Sequence, residues 1–227
     1  MKLAALFSGG KDSTFAINKA KFQGHDIKCL VTIFPNSIES ELLHYPNIHL
    51  TKLQAKSMGT PHTFTELDSN DTDLEVKVLE ETLAQAKKDF DVEGLVHGGI
   101  LSEFQKKKFE MVCSNLNLQT VSPLWQINQK EYMHELVKSK FEFIITSVSS
   151  AGLDDSWLGK KITEKEIFLL EKLSITHGFN ISFEGGEAET LVIDCPLFSS
   201  PLKILKSNKV WDGYIGRLEI TEAILGR

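Results

Sequence analysis

The run Leu3-Ala4-Ala5-Leu6-Phe7-Ser8-Gly9-Gly10-Lys11-Asp12-Ser13 constrains the fold more than any other stretch of the chain. Five apolar residues stop at a serine and two glycines, and apolar positions then recur at Phe15, Ala16 and Ala20 with helical spacing. This pattern predicts a buried strand over residues 3–7, a tight turn, and a helix over residues 14–23. Gly9 and Gly10 let the backbone turn sharply with no Cβ between it and a ligand. The amide groups of a first helical turn, with Lys11 beside them, make such a turn a site for anions, phosphate foremost. Ser8 and Ser13 add hydroxyl donors. Taken alone, the same letters also suit a glycine turn that merely joins a strand to a helix.

The phosphate loop of kinases and GTPases requires G-x-x-x-x-G-K-[ST]. Here Lys11 is followed by Asp12, and the residue five before Gly10 is Ala5, so that motif fails twice. The run instead resembles the SGGxDS PP-loop of the ATP pyrophosphatases. That resemblance implies cleavage of ATP between its α and β phosphates, giving AMP and pyrophosphate.

Downstream, the first half alternates strand and helix. Strands are predicted over residues 27–34, 62–67 and 94–97, and helices over 48–58, 73–90 and 102–116, the last with Ser102 as N-cap. A βαβα order predicts an α/β fold with a parallel, doubly wound sheet, Rossmann-like, whose ligand lies beyond the carboxyl ends of the strands. Both glycine pairs, Gly9-Gly10 and Gly98-Gly99, fall at such ends. After Pro123-Leu124-Trp125 the pattern changes to helices over 129–139 and 163–177 and strands over 141–147, 190–194, 202–206 and 217–221. The expected division is a nucleotide domain over residues 1–125 and a smaller α+β domain over residues 126–227.

A net charge of −6 argues against a general nucleic-acid binder, whose affinity rests on a basic face, and leaves a local basic groove open. Lys106-Lys107-Lys108 is the only basic run and reads as a solvated helix face. Cys29, Cys113 and Cys195 stand far apart with no C-x-x-C, which excludes a zinc ribbon or dithiol motif and suits a reducing compartment. The start of the chain has no signal-peptide pattern, and no apolar run approaches the roughly 20 residues of a membrane span. The expectation is a cytoplasmic protein without membrane contact. A homodimer is compatible with this sequence.

A second constellation lies in Glu184-Gly185-Gly186-Glu187-Ala188-Glu189. Spacings of three and two around glycines predict that the three carboxylates point to one side of a loop. Clustered like charges raise one another's pKa and suit metal, cation or proton chemistry. A solvated acidic turn leading into an edge strand is the plainer alternative.

Taken together, these segments resemble the diphthine–ammonia ligases, the ATP-binding family that performs the last step of diphthamide synthesis. The resemblance runs nearly end to end. It rests on residues 8–13, Glu39-Ser40 with His44 and Pro46-Asn47, and His97-Gly98-Gly99-Ile100-Leu101-Ser102. Gln105, Glu110, Cys113, Pro123-Leu124-Trp125, Gly152-Leu153, Leu158-Gly159 and residues 184–198 continue it. Departures fall at Ala188, at Glu41 and Leu42 before His44, and at Phe104 and Lys108 around Gln105.

The resemblance implies that ammonium is joined to the carboxylate of diphthine, a modified histidine on translation elongation factor 2. ATP and Mg2+ are the implied cofactors, and an acyl-adenylate the implied intermediate. Ser8, Gly9, Gly10, Lys11, Asp12, Ser13, Gly98 and Gly99 would bind the nucleotide, with Asp12 assisting the metal. Lys11, Glu184, Glu187 and Glu189 would be catalytic, and His44, Gln105 and Trp125 would contact the acceptor. Carboxylates and an aromatic face are the groups that recognise the trimethylammonium of diphthine. Other classes remain open on sequence: an RNA-modifying PP-loop enzyme, a nucleotide sensor without catalysis, or a relative with a different carboxylate substrate.

Overall fold

The protein is described from a computed structural model covering residues 1–35, 47–67 and 71–226. Two compact units divide the chain, Met1–Trp125 and Gln126–Arg227.

In the first unit the elements run β1 (Lys2–Leu6), α1 (Lys11–Phe22), β2 (Asp26–Pro35), α2 (Thr51–Met58), β3 (His62–Leu67), α3 (Thr72–Phe90), β4 (Gly94–Val96), α4 (Glu103–Asn115) and β5 (Gln119–Val121). The five strands are parallel in the order β3-β2-β1-β4-β5. This is the expected Rossmann-like sheet. Its central strands carry continuous apolar runs because helices cover both faces. One face presents Ala4, Cys29, Val31, Ile33 and Leu95 to Val76, Leu79 and Leu83 of α3 and to Phe109 and Val112 of α4. Chain order reverses between β1 and β4, so the crevice that binds ligands in such sheets opens at the ends of these two strands.

Several boundaries depart from those read in the sequence. Helix α1 begins at Lys11 rather than at residue 14, so Lys11, Asp12 and Ser13 form its first turn. The helix read over 48–58 opens as a 3-10 turn, Ile48–Leu50, before α2. The sequence pattern predicts no strand where β5 lies. Strand β5 has three residues, too few for a periodic pattern, and is held by its pairing with β4.

The second unit contains α5 (Gln129–Lys138), β6 (Glu142–Val148), α6 (Glu164–His177), β7 (Ala188–Asp194), β8 (Leu202–Trp211) and β9 (Gly216–Leu225). Its antiparallel sheet has the order β7-β6-β9-β8. Tyr132, Met133 and Leu136 of α5, Ile167 and Leu170 of α6, and Phe143 and Ile145 of β6 are all buried. Strands β8 and β9 form a hairpin about twice as long as the sequence pattern suggested. Beyond Lys206, β8 is exposed, and pairing with β9 rather than burial holds it extended.

Candidate functional site

The turn after β1 folds onto itself. Phe7 N donates to Val31 O at 2.8 Å, which ends the ladder with β2. Gly9 then takes φ +77°, a left-handed conformation that favours glycine. Gly10 is the N-cap of α1, and no side chain caps that helix. Ser8 N donates to Ser13 Oγ at 3.2 Å, and the two hydroxyl oxygens lie 3.0 Å apart. Thr14 Oγ1 donates to Gly10 O at 2.7 Å. Lys11 is only 2% exposed, and its Nζ lies 2.8 and 3.0 Å from the two Asp12 carboxylate oxygens. Ser8, Gly9, Gly10, Lys11, Asp12 and Ser13 thus come together in one loop at the reversal point of the sheet.

Buried donors from outside the loop hold its carbonyls. Thr32 Oγ1 donates to Phe7 O at 2.6 Å. His62 Nε2 lies 2.8 Å from the same Thr32 oxygen, which is left as an acceptor, so the imidazole carries its proton on Nε2. Burial, with a smaller contribution from the Lys52 ammonium, pulls the His62 pKa down to about 4. Gln54 Nε2, from the fully buried side chain on α2, donates to Gly9 O at 3.0 Å. None of these three residues was anticipated. On α2 the buried polar residues are Thr51, Gln54 and Ser57, and polar letters at helical spacing ordinarily mark a solvent face.

Gly98 follows β4 on the other side of the reversal point. A Cβ there would stand 2.6 Å from both Asp12 C and Ser13 N. Glycine at 98 therefore lets the end of β4 pack against the first turn of α1. His97 is 1% exposed, accepts from Gly99 N at 3.1 Å through Nδ1, and donates from Nε2 to Ser122 Oγ at 2.7 Å. Burial, and secondarily the Lys106 charge, lower its pKa to about 4, so the ring is neutral and fastens the Gly98-Gly99 turn to the end of β5. Ser102 caps α4 by accepting from Gln105 N at 3.3 Å, and the Gln105 side chain is half-buried. The Trp125 ring carries the Lys106 ammonium 4.2 Å from its centroid, a cation on an aromatic face supplied by the same unit. His44 lies outside the described residues.

In the second unit the three glutamates have different surroundings. Glu187 Oε1 accepts from Asn180 N at 2.8 Å and Asn180 Nδ2 at 2.9 Å, while Oε2 accepts from Gly185 N at 2.8 Å. The expectation that all three carboxylates point to one side of the loop fails at Glu187, which is folded back onto its own turn. Ser149 supports that turn through N to Glu187 O at 2.9 Å and Oγ to Gly186 O at 2.6 Å. Phe183, at φ +64°, stacks on Phe179 with ring centroids 6.4 Å apart. Glu189 lies on β7 opposite Ser147 of β6, and Glu184 is half-buried just before the glycine pair. No group of three or more His, Cys, Asp or Glu among the described residues could hold a metal ion. A cavity of about 540 Å³ in this unit is lined by residues including Ile144, Leu158, Ile193, Leu202 and Leu218, with none of the three glutamates in its wall.

Two family models match, the diphthamide synthase N-terminal domain over residues 1–120 and the diphthamide synthase C-terminal domain over residues 128–225. The chain belongs to the diphthamide synthase family. It is 37% identical to the diphthine–ammonia ligase of Rattus norvegicus over 232 residues, covering 92% of this chain and 85% of the relative. The Homo sapiens diphthine–ammonia ligase is 35% identical over 228 residues with the same coverage. A solved structure, described as a predicted subunit of tRNA methyltransferase from Methanocaldococcus jannaschii, aligns with a TM-score of 0.39 at 20% identity, covering 83% of this chain and 95% of that one. In this diphthamide synthase family member no described helix is long and apolar enough to cross a membrane.

Proposed function

We propose that this chain amidates the carboxylate of diphthine on translation elongation factor 2 with ammonium, giving diphthamide, AMP and pyrophosphate. Its family membership makes it an ATP-using ligase. The observation that carries the reading is the loop of residues 8–13 at the reversal point of the sheet, with Lys11 buried against Asp12. We assign ATP to residues 1–125 and the acceptor to residues 126–227.

A carboxylate is a poor electrophile at neutral pH, and its charge repels nucleophiles. Transfer of AMP to it creates a mixed anhydride that ammonia attacks, with AMP as leaving group. The loop suits this division because it grips the part of ATP that departs. Lys11 and the amides of the first α1 turn stabilise charge as it builds on the β and γ phosphates. Ser8 and Ser13, bonded to each other, hold the loop closed. Magnesium on a nucleotide needs only one or two protein carboxylates besides phosphate oxygens, so Asp12 fits that role and the ion would neutralise phosphate charge there. Glu184 and Glu189 are assigned to the cationic side of the reaction, either the trimethylammonium of diphthine or the incoming ammonium. Glu187 shapes the turn that presents them.

The test is product analysis with purified protein, ATP, ammonium and elongation factor 2 carrying diphthine. AMP and pyrophosphate should form only when the modified factor is present. ADP as the sole nucleotide product would overturn the PP-loop assignment. Pyrophosphate release that requires tRNA instead would replace the acceptor.

A further inference from the structure

We propose that Gln54 is a positioning residue for phosphate binding, acting through the Gly9–Gly10 peptide; the inference rests on the assignment of ATP to the residue 8–13 loop. In a trans peptide the C=O and the following N–H point in opposite directions. The described peptides contain no cis bond. Gln54 Nε2 draws Gly9 O toward the fully buried amide side chain, at 3.0 Å. The N–H of Gly10 on the same peptide must then face away from Gln54. Gly9 is buried and Gly10 is half-buried, so this rotation carries the amide from the protein side to the open side of the loop. Thr32 acts alike two peptides earlier: it draws Phe7 O inward, and Ser8 N is turned to Ser13 Oγ.

The fit leaves little room for another arrangement. A Cβ on Gly9 would stand 2.2 Å from Gln54 Oε1, and φ there is +77°. Glycine at position 9 is therefore favoured by its backbone conformation, and a side chain there would also have to displace the Gln54 amide. Gln54 lies 45 residues from Gly9 in sequence, on a different helix from the one that opens the loop. The anion grip is thus set by α2 as well as by the loop's own letters.

The experiment measures pyrophosphate and ATP binding by calorimetry for the wild type, Lys11→Ala and Gln54→Met. Methionine keeps the length and volume of the side chain and removes the donor. Lys11→Ala tests the site itself: if it binds pyrophosphate as tightly as the wild type, the assignment of ATP to this loop falls, and the proposal with it. If Lys11→Ala weakens binding, Gln54→Met is expected to weaken it by about 5- to 20-fold, the range of one buried hydrogen bond. It should also raise KM for ATP more than it lowers kcat, and the melting temperature should fall by several degrees because Gly9 O loses its buried donor. Wild-type affinity in a folded Gln54→Met would overturn the proposal. A measurement on the unmodified protein covers the case in which Gln54→Met does not fold. The Gly10 amide resonance should shift on addition of pyrophosphate, and an unmoved Gly10 amide in a saturated sample would overturn the proposal. As a further check, Gly9→Ala should cost less binding when combined with Gln54→Ala than in the wild-type background, because the collision is removed while the backbone strain is common to both.

Discussion

Glu187 and Asn180 close a turn in the second unit: one carboxylate oxygen accepts both the backbone N–H and the side-chain Nδ2 of Asn180, at 2.8 and 2.9 Å. The other oxygen accepts from Gly185 N. A single side chain therefore ties residue 180 to residue 185 across a turn in which Phe183 adopts a left-handed conformation, which is costly for a bulky residue.

Glu187→Gln tests this arrangement. The amide can place its oxygen toward Asn180, but its NH2 then meets the Gly185 N–H, donor against donor. The expected loss is about 0.5–1.5 kcal/mol, or roughly 2–4 °C of melting temperature per kcal/mol in a chain of this size. ATP affinity should stay within a few-fold of wild type, and amidation should fall. Calorimetry showing ATP affinity lost in step with activity would instead place Glu187 at the nucleotide.

Lys11→Ala removes a buried cation from the candidate phosphate grip. Hydrogen bonds to charged groups contribute about 1.5–3 kcal/mol, so turnover should drop by about an order of magnitude or more. Ser8→Ala, which breaks the contact to Ser13, should act in the same direction. Circular dichroism of both variants should match wild type. Unchanged turnover in both would show that this loop does not hold the phosphates.

Acid should weaken the first unit through His97. Its pKa is depressed to about 4 by burial, against an ordinary value of 6.5. A neutral buried histidine contributes stability that is fully present above the unfolded pKa. That stability is lost as the pH falls from about 6.5 toward 4, because the unfolded chain takes up a proton that the folded chain refuses. The difference corresponds to a few kcal/mol at most, on the order of 1.4 kcal/mol per pH unit. NMR titration should find the ring neutral at pH 5.5 with its proton on Nε2. A midpoint near 6.5 would refute the buried relay to Ser122.

Ammonium itself should be the nitrogen donor. Taking nitrogen from glutamine requires a nucleophilic cysteine activated by a neighbouring base. Cys29, Cys113 and Cys195 are buried. Burial raises the Cys29 thiol to about 11 and the Cys195 thiol to about 12, and it raises Cys113 as well. Such thiols are poor nucleophiles at neutral pH. Purified protein supplied with an ammonium salt should turn over, and protein supplied with ammonia-free glutamine should not. Equal rates would point to a glutaminase site.

Where the residues that make a feature lie close together in the chain, the feature was readable from letters. The apolar run and glycines of residues 3–10 specify a strand and a turn locally, and the periodic apolar residues of α3 specify a helix of the observed length. Ser102 was identifiable as an N-cap because its partner, Gln105 N, is three residues away. The acidic turn was visible as composition, but the direction of Glu187 was not, since that depends on Asn180 being folded back beside it. Gly98 could be read as a turn residue, yet its tight contact is with Asp12 and Ser13, in the first turn of α1 far away in sequence. Gln54 carried no signal, because a glutamine on a short helix looks solvent-facing until the sheet brings Gly9 against it. The second half of β8 was missed because Lys206, Ser207, Asn208 and Lys209 bury little, and register shifts around Lys206 break the alternation. Its extended form comes from hydrogen bonds to β9. Side-chain preference is written residue by residue along the chain. A hydrogen bond between residues tens of positions apart exists only after the core has packed and brought donor and acceptor together.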